Sequence, residues 1–121
     1  MAWEFDSSKP IYIQLVDELK LRIISGMMPI GAKLDSVRDL AEEAGVNPNT
    51  MQRALAELER EKLVFSQRTS GRYVTDDTEL IKKMRKDFAQ EKINELTTTL
   101  LQLGYTKKEL VELITTFLEE A

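Results

Sequence analysis

Leu34-Asp35-Ser36-Val37-Arg38-Asp39-Leu40-Ala41-Glu42-Glu43-Ala44-Gly45-Val46-Asn47-Pro48-Asn49-Thr50-Met51-Gln52-Arg53-Ala54-Leu55 decides the fold. Ser36 stands where a helix N-cap belongs, its hydroxyl ready to accept an unpaired N–H of the first turn. Val37, Leu40, Ala41 and Ala44 follow at i, i+3, i+4 and i+7, which makes one buried stripe. Gly45 can enter the left-handed region without steric cost and so ends the helix. Val46 plugs the turn. Asn47 is the next N-cap, and Pro48 takes the first helical position, where a missing N–H costs nothing. Met51, Ala54, Leu55 and Leu58 form the buried stripe of the second helix, predicted over 48–61. Asn49, Thr50, Gln52 and Arg53 remain on the open side of its N-terminal end. A helix that reads bases in the major groove uses its N-terminal residues, and amides, hydroxyls and arginine are the side chains that suit base edges.

Two short helices joined by a glycine also occur in folds that never meet DNA. The next segment narrows the choice. Leu63-Val64-Phe65-Ser66 and Arg72-Tyr73-Val74 are β-prone runs, and Gln67-Arg68-Thr69-Ser70-Gly71 between them is a polar turn. The pattern predicts a β-wing over 63–74. Arg38, Arg53, Arg68 and Arg72 then supply the positive charge that phosphates require, beside groups able to read bases.

The stretch from Ile11 to Val74 resembles the winged helix-turn-helix domain of the GntR family of bacterial transcription regulators. The resemblance is carried by Pro10-Ile11-Tyr12-Ile13-Gln14-Leu15, Gly31-Ala32-Lys33-Leu34, Ser36-Val37-Arg38-Asp39-Leu40-Ala41, Val46-Asn47-Pro48-Asn49-Thr50, Ala54-Leu55-Ala56-Glu57-Leu58-Glu59 and Gly71-Arg72-Tyr73-Val74. The short tail and the Asn-Pro-Asn-Thr cap resemble the YtrA-like subfamily. The likeness implies DNA contacts from the arginine of Ser-Val-Arg, the first residues of the recognition helix and the glycine region of the wing tip. Here those are Arg38, Asn47, Asn49, Thr50, Gln52, Arg53 and Gly71; with Ser36, Arg68 and Arg72 they make up the candidate DNA-binding set. Two departures stand out. Asp35 occupies a position where the family usually has proline, which puts a negative charge close to the expected phosphate path. Gln67-Arg68-Thr69-Ser70-Gly71 replaces the usual Arg-Gly-x-Gly of the wing, with one glycine fewer.

Composition sets outer bounds. A chain of 121 residues is one domain, or one domain with an appendage. It has no cysteine, so disulfides and thiolate metal sites are excluded, in keeping with a reducing cytoplasm. It has no histidine, which removes the commonest metal ligand and the commonest general base. No run of eighteen apolar residues exists, and Met1-Ala2-Trp3-Glu4-Phe5-Asp6 does not read as a signal peptide, so the expectation is a soluble cytoplasmic protein. Neither a cofactor nor a metal is implied. The net charge of −4 is unusual for a DNA binder. Its distribution accounts for part of this: residues 47–75 hold five basic and three acidic residues, a net of +2, while residues 76–121 hold seven and ten, a net of −3. Non-specific DNA binding should be weaker than for a basic protein.

Upstream, Pro10 is placed as a first helical residue. Tyr12, Leu15, Val16, Leu19 and Ile23 follow with helical spacing, and Gly26 marks the stop. Trp3 and Phe5 alternate with charged residues in a strand-like arm, most simply a packing anchor for the terminus. Met27-Met28-Pro29-Ile30 reads as a loop.

From Thr78 the pattern becomes one long helix. Leu80, Ile81, Met84, Phe88, Leu96, Leu100 and Leu103 recur at steps of three and four residues, with Ile93 filling in, until Gly104. Lys82-Lys83-Arg85-Lys86 reads as a solvated face of it. Thr106-Lys107-Lys108-Glu109 is a capping box, and Leu110, Val111, Leu113, Ile114, Phe117 and Leu118 give the last helix an apolar face. A two-helix hairpin cannot cover both faces by itself. The expected dimerisation set is therefore Leu80, Ile81, Met84, Phe88, Leu96, Leu100, Leu103, Leu110, Leu113, Ile114 and Phe117. Folding of the tail onto its own winged helix is the competing arrangement.

The expected architecture is mainly α with a small β-wing: a winged helix-turn-helix domain over 1–75 and a helical dimerisation hairpin over 76–121. The expected function is a sequence-specific DNA-binding transcriptional regulator, a homodimeric repressor on an inverted-repeat operator. Its partners would be double-stranded DNA and a second copy of itself, with the matter of a small-molecule effector open. A protein-interaction module is the second reading, and the base-reading set on the second helix argues against it. An enzyme is the third; no histidine, cysteine or glycine-rich phosphate loop supports one.

Overall fold

Two side chains place the two short helices. The Ser36 hydroxyl accepts the Asp39 N–H at 3.1 Å and starts α2 (Val37–Ala44). Gly45 ends it at φ 71°, and its N–H returns to the Ala41 and Glu42 carbonyls. The Asn47 amide oxygen then accepts the Asn49 N–H at 2.8 Å, and Pro48 opens α3 (Pro48–Arg60). The anticipated caps are therefore the ones used, and Asp35 has no part in capping α2 among the described residues. The structure, a computed structural model, describes residues 3–121. Its other elements are α1 (Ile11–Ile24), β1 (Val64–Gln67), β2 (Gly71–Val74), α4 (Thr78–Gln102) and α5 (Lys107–Glu120). They fall into two compact units, Met1–Arg85 and Lys86–Ala121. The change of unit comes inside α4, ten residues beyond the 75/76 boundary expected where the apolar pattern becomes one long helix.

In the first unit, α1 supplies Leu15, Val16, Leu19 and Ile23 to the core, α2 supplies Leu40, Ala41 and Ala44, and α3 supplies Met51, Ala54, Leu55 and Leu58. Leu63, Val64 and Val74 close the core from the wing. The helical stripes read from spacing are thus the buried ones. Pro10 is the N-cap of α1 rather than its first helical residue, with ψ 125°. An extended ψ leaves it outside the helix while its fixed φ still directs the chain inward. The helix start is secured by Gln14 instead: its side chain accepts the Asp6 N–H at 2.7 Å and donates to the Asp6 carbonyl at 2.8 Å. The arm itself is not a strand. Trp3 and Phe5 pack against the core, and the Arg22 guanidinium lies 3.7 Å from the Trp3 ring centroid. Ring and core contacts hold the arm without a pairing partner for its backbone.

The wing is a two-stranded antiparallel ribbon in the register Val64↔Val74, Phe65↔Tyr73, Ser66↔Arg72 and Gln67↔Gly71. Its strands reach Gln67 and Gly71, so the turn is only Arg68-Thr69-Ser70, shorter than the five-residue turn expected. Phe65 and Tyr73 are opposite each other and their rings stack at 5.8 Å. On the far edge of β2 the segment before α2 pairs with the wing: the Leu34 N–H donates to the Arg72 carbonyl at 2.9 Å, and the Val74 N–H to the Ala32 carbonyl at 2.9 Å. That pairing was not legible as a strand, because Gly31-Ala32-Lys33-Leu34 lacks β-branched residues.

The first turns of α4 also belong to this unit. Asp77 caps the helix, accepting the Leu80 N–H at 3.1 Å. Ile81 is buried, and Leu80 and Met84 pack against the core. Lys82, Lys83, Arg85 and Lys86 are all exposed, as expected of a solvated face. Arg85 has a second task, its guanidinium donating to the Ile24 carbonyl at 2.8 and 3.1 Å and satisfying an open C=O at the end of α1.

In the second unit, the remainder of α4 and α5 form a hairpin. Gly104, at φ 101°, turns the chain, and its N–H returns to the Leu101 carbonyl at 3.0 Å. The capping box forms as read from the sequence: the Glu109 N–H donates to Thr106 Oγ1 at 3.1 Å and the Thr106 N–H to Glu109 Oε1 at 2.9 Å. The bond from the Thr106 N–H, with help from the Thr106 hydroxyl, holds the Glu109 carboxyl below the usual carboxylate range. Leu110 is buried at 5% exposure, whereas Phe117 and Leu118 are 70% and 66% exposed. No helix among the described residues is long and apolar enough to cross a membrane.

Candidate nucleic-acid interface

The N-terminal end of α3 presents Asn49, Gln52 and Arg53 to solvent, with Thr50 half-buried between them. Asn47 differs from these: its side-chain oxygen is occupied by the cap, so its first contribution is to fix where α3 begins. Ser36 does the same for α2. Arg38, in the first turn of α2, is exposed and has no carboxylate partner among the described residues. The helix stripe and its polar side therefore separate as amphipathic packing requires.

Arg53 is held in an unexpected way. Its guanidinium carbon lies 4.2 Å from the centroid of the Tyr12 ring on α1. The carboxylate one turn along, Glu57, is taken by Arg60, which donates Nε to it at 2.8 Å and makes a second, closer contact through Nη2. The Arg60 hydrogen bond lowers the Glu57 carboxyl from its ordinary range.

In the wing, Gly71 adopts φ 111°, a conformation that side-chain-bearing residues rarely reach. Arg68 is exposed at the turn. Arg72 is committed: its Nε donates to Glu59 Oε1 at 2.6 Å, and Ser66 Oγ donates to the same oxygen at 2.7 Å. Partial burial raises the Glu59 carboxyl, but the bonds from Ser66 and Arg72 more than compensate and leave it lowered. Arg72 thus ties the wing to α3, and only its remaining amino groups are open to a phosphate.

A cleft of about 440 Å³ runs between the start of α2 and the wing tip, lined by Lys33, Asp35, Ser36, Ser70, Gly71 and Arg72 among others. Lys33 was absent from the candidate set, yet its Cε sits where a Cβ on Gly71 would be 3.5 Å away. The pairing of residues 31–34 with β2 places it there, so the signal was the unrecognised edge pairing. Asp35 lines the same cleft. Its substitution by proline is expected to tighten DNA binding by about two- to five-fold at low salt, in line with one exposed charge interaction, and by less at high salt. Titration of a DNA duplex at several salt concentrations checks this, and weaker binding at every salt would show Asp35 to be a needed contact.

Of the expected dimerisation residues, Leu80 and Met84 lie against the core of the first unit, Ile81 is buried, and Phe88 is half-buried. The hairpin of the second unit holds the rest. Leu96, Leu103, Leu113 and Phe117 are exposed, Leu100 and Ile114 half-buried, and Leu110 buried.

A three-helix core, a paired second helix with an open polar N-terminal end and a β-wing define a winged helix-turn-helix protein. The profile of the bacterial regulatory proteins of the gntR family matches residues 11–74, and the chain belongs to that family. It is 36% identical over 116 residues to YhcF of Bacillus subtilis, an uncharacterized HTH-type transcriptional regulator, covering 96% of each chain. It is 42% identical over 71 residues to the HTH-type transcriptional repressor YtrA of the same organism, covering 59% of this chain and 55% of that protein. Among solved structures, a GntR family transcriptional regulator from Listeria monocytogenes superposes with a TM-score of 0.86 at 37% identity, covering 93% of this chain and 98% of that one. The chain is a DNA-binding transcriptional regulator of the GntR family.

Proposed function

We propose that the protein is a cytoplasmic, homodimeric repressor that reads an inverted-repeat operator. The observation that carries this reading is the exposed set Asn49, Gln52 and Arg53 on the first turns of a capped helix, with Arg38 unpaired on the helix before it. Donors and acceptors at an open helix start are what the major groove selects for, and the wing with Arg68, Lys33 and Gly71 adds backbone contacts alongside. Homodimer formation is supported by the second unit. Leu96, Leu100, Leu113, Ile114, Phe117 and Leu118 line an apolar cleft of about 490 Å³ that the hairpin does not fill from within. A second copy is the partner that a two-fold operator requires, because one small module seldom holds DNA tightly by itself. Repression follows from occlusion of a promoter, and the relative named a repressor supports that sign.

Selection of duplexes from a random pool, read with a salt titration, tests this. The expected result is a two-fold symmetric site. Failure to enrich any sequence over a random duplex would refute sequence reading. Within it, Arg38→Ala is expected to cost about 1–3 kcal/mol of operator affinity while leaving thermal unfolding unchanged, since Arg38 is exposed. An unchanged dissociation constant at fixed salt would remove Arg38 from the interface.

A further inference from the structure

We propose that Tyr12 is a positioning residue for DNA reading: its ring is the platform that holds the Arg53 guanidinium at the open end of α3. The inference rests on the DNA-reading assignment above and adds a residue from outside the reading helix.

A long arginine at i in a helix ordinarily reaches a carboxylate at i+4. Here Glu57 is engaged by Arg60, and no ion pair to Arg53 exists among the described residues. Arg53 turns instead to α1, where Tyr12 meets it at 4.2 Å. A guanidinium lying against a ring face spends no hydrogen bond in the contact, so its N–H groups stay available for a base edge or a phosphate. A salt bridge would have consumed them. The arrangement therefore restrains the side chain and leaves its donors free.

Tyr12 is itself fixed. It is half-buried against the core in the first turn of α1. That turn lacks a side-chain cap and is pinned by the Gln14 bonds to Asp6. Below it, Leu15, Val16 and Leu19 share one core with Met51, Leu55 and Leu58 of α3. The spacing of ring and guanidinium thus follows from helix packing. A freely rotating arginine would have to be ordered at the moment of binding; one already seated loses less freedom.

The test is a double-mutant cycle on the full chain with the selected operator duplex, using Tyr12→Leu, Tyr12→Phe, Arg53→Ala and the pair Tyr12→Leu with Arg53→Ala. Thermal unfolding of each variant checks that it folds. The expected result is an affinity loss of about two- to five-fold for Tyr12→Leu, the equivalent of one surface cation–π contact, and none for Tyr12→Phe, which keeps the ring. In the Arg53→Ala background Tyr12→Leu should add nothing, because the residue it acts through is gone. A purely structural Tyr12 would weaken binding equally in both backgrounds, which would overturn the proposal. A second readout needs no DNA: the Arg53 side-chain protons, lying over the ring, should be shifted upfield in the NMR spectrum of the free protein and return toward ordinary values in Tyr12→Leu. Unshifted Arg53 protons would sink the platform while leaving DNA reading intact. Shifted protons in a protein that selects no duplex would instead overturn the DNA-reading assignment and the role of Tyr12 with it.

Discussion

Leu58→Ala is expected to destabilise the winged helix by about 2–5 kcal/mol, the cost of removing a leucine from a site that cannot collapse around the gap. Leu58 is fully buried, and it lies near the C-terminal end of α3 beside Leu63 and Val64. Its neighbours come from helices and from the wing, so no single element can move in without breaking its other contacts. A domain of this size has a total stability of about 5–15 kcal/mol, so this one change removes a large fraction of it. The melting temperature should fall by roughly 10 °C or more. At a temperature where the variant is still folded, operator affinity should be nearly unchanged, because the reading residues sit at the other end of α3. That is the reverse of the Arg38→Ala result. Calorimetry and DNA titration on the two variants together separate packing from recognition. A Leu58→Ala protein that melts within a degree or two of the parent would mean that the core is not close-packed at this site.

The contrast follows the way sequence information was distributed along the chain. The caps and stripes of α2 and α3 were legible because each depends on neighbouring residues alone: Ser36 three residues before its acceptor's partner, Asn47 next to Pro48, and Met51 to Leu58 at one helical spacing. The capping box at Thr106 and Glu109 was legible for the same reason. What escaped was non-local. The pairing of residues 31–34 with β2 depends on a partner about forty residues away and on backbone groups that carry no side-chain signal. Arg72 counts in the sequence as one of the wing's cations, and it is an ion pair because the wing brings it to Glu59, thirteen residues back. The Tyr12 contact with Arg53 joins two helices, and Arg85 finds a carbonyl 61 residues away. The stripe of α4 shows the limit of periodicity most clearly. Steps of three and four residues link Leu80, Ile81 and Met84 to Phe88, Leu96, Leu100 and Leu103, but at about 100° per residue the early and the late members drift onto different sides of the helix. Spacing does not say what covers each part: Leu80 and Met84 pack against this chain's own core, and Ile81 is buried.

A chain ending at Lys86 is expected to fold as a winged helix, remain monomeric and lose more than about 100-fold in operator affinity, the usual scale of an avidity effect. The endpoint matters. A chain ending at Asp76 would lack Ile81, which is buried, together with the packing of Leu80 and Met84 and the Arg85 bonds to the Ile24 carbonyl. It should therefore melt below the chain ending at Lys86, although both omit the whole hairpin. The affinity loss has a separate origin. Removing residues 87–121 removes the exposed apolar residues proposed to bind a second copy, so each winged helix must find its half-site independently. Two half-sites about one helical turn apart, ~34 Å, can be held together only by a dimer. Sedimentation of the full chain and of both shortened ones, with a footprint of each on the selected operator, decides between outcomes. The full chain should sediment as a dimer at micromolar concentration and protect two half-sites, and the Lys86 chain should protect them only at much higher concentration. A monomeric full chain, or a Lys86 chain that binds as tightly, would remove the dimer from the mechanism and return the apolar hairpin to the status of an unassigned surface.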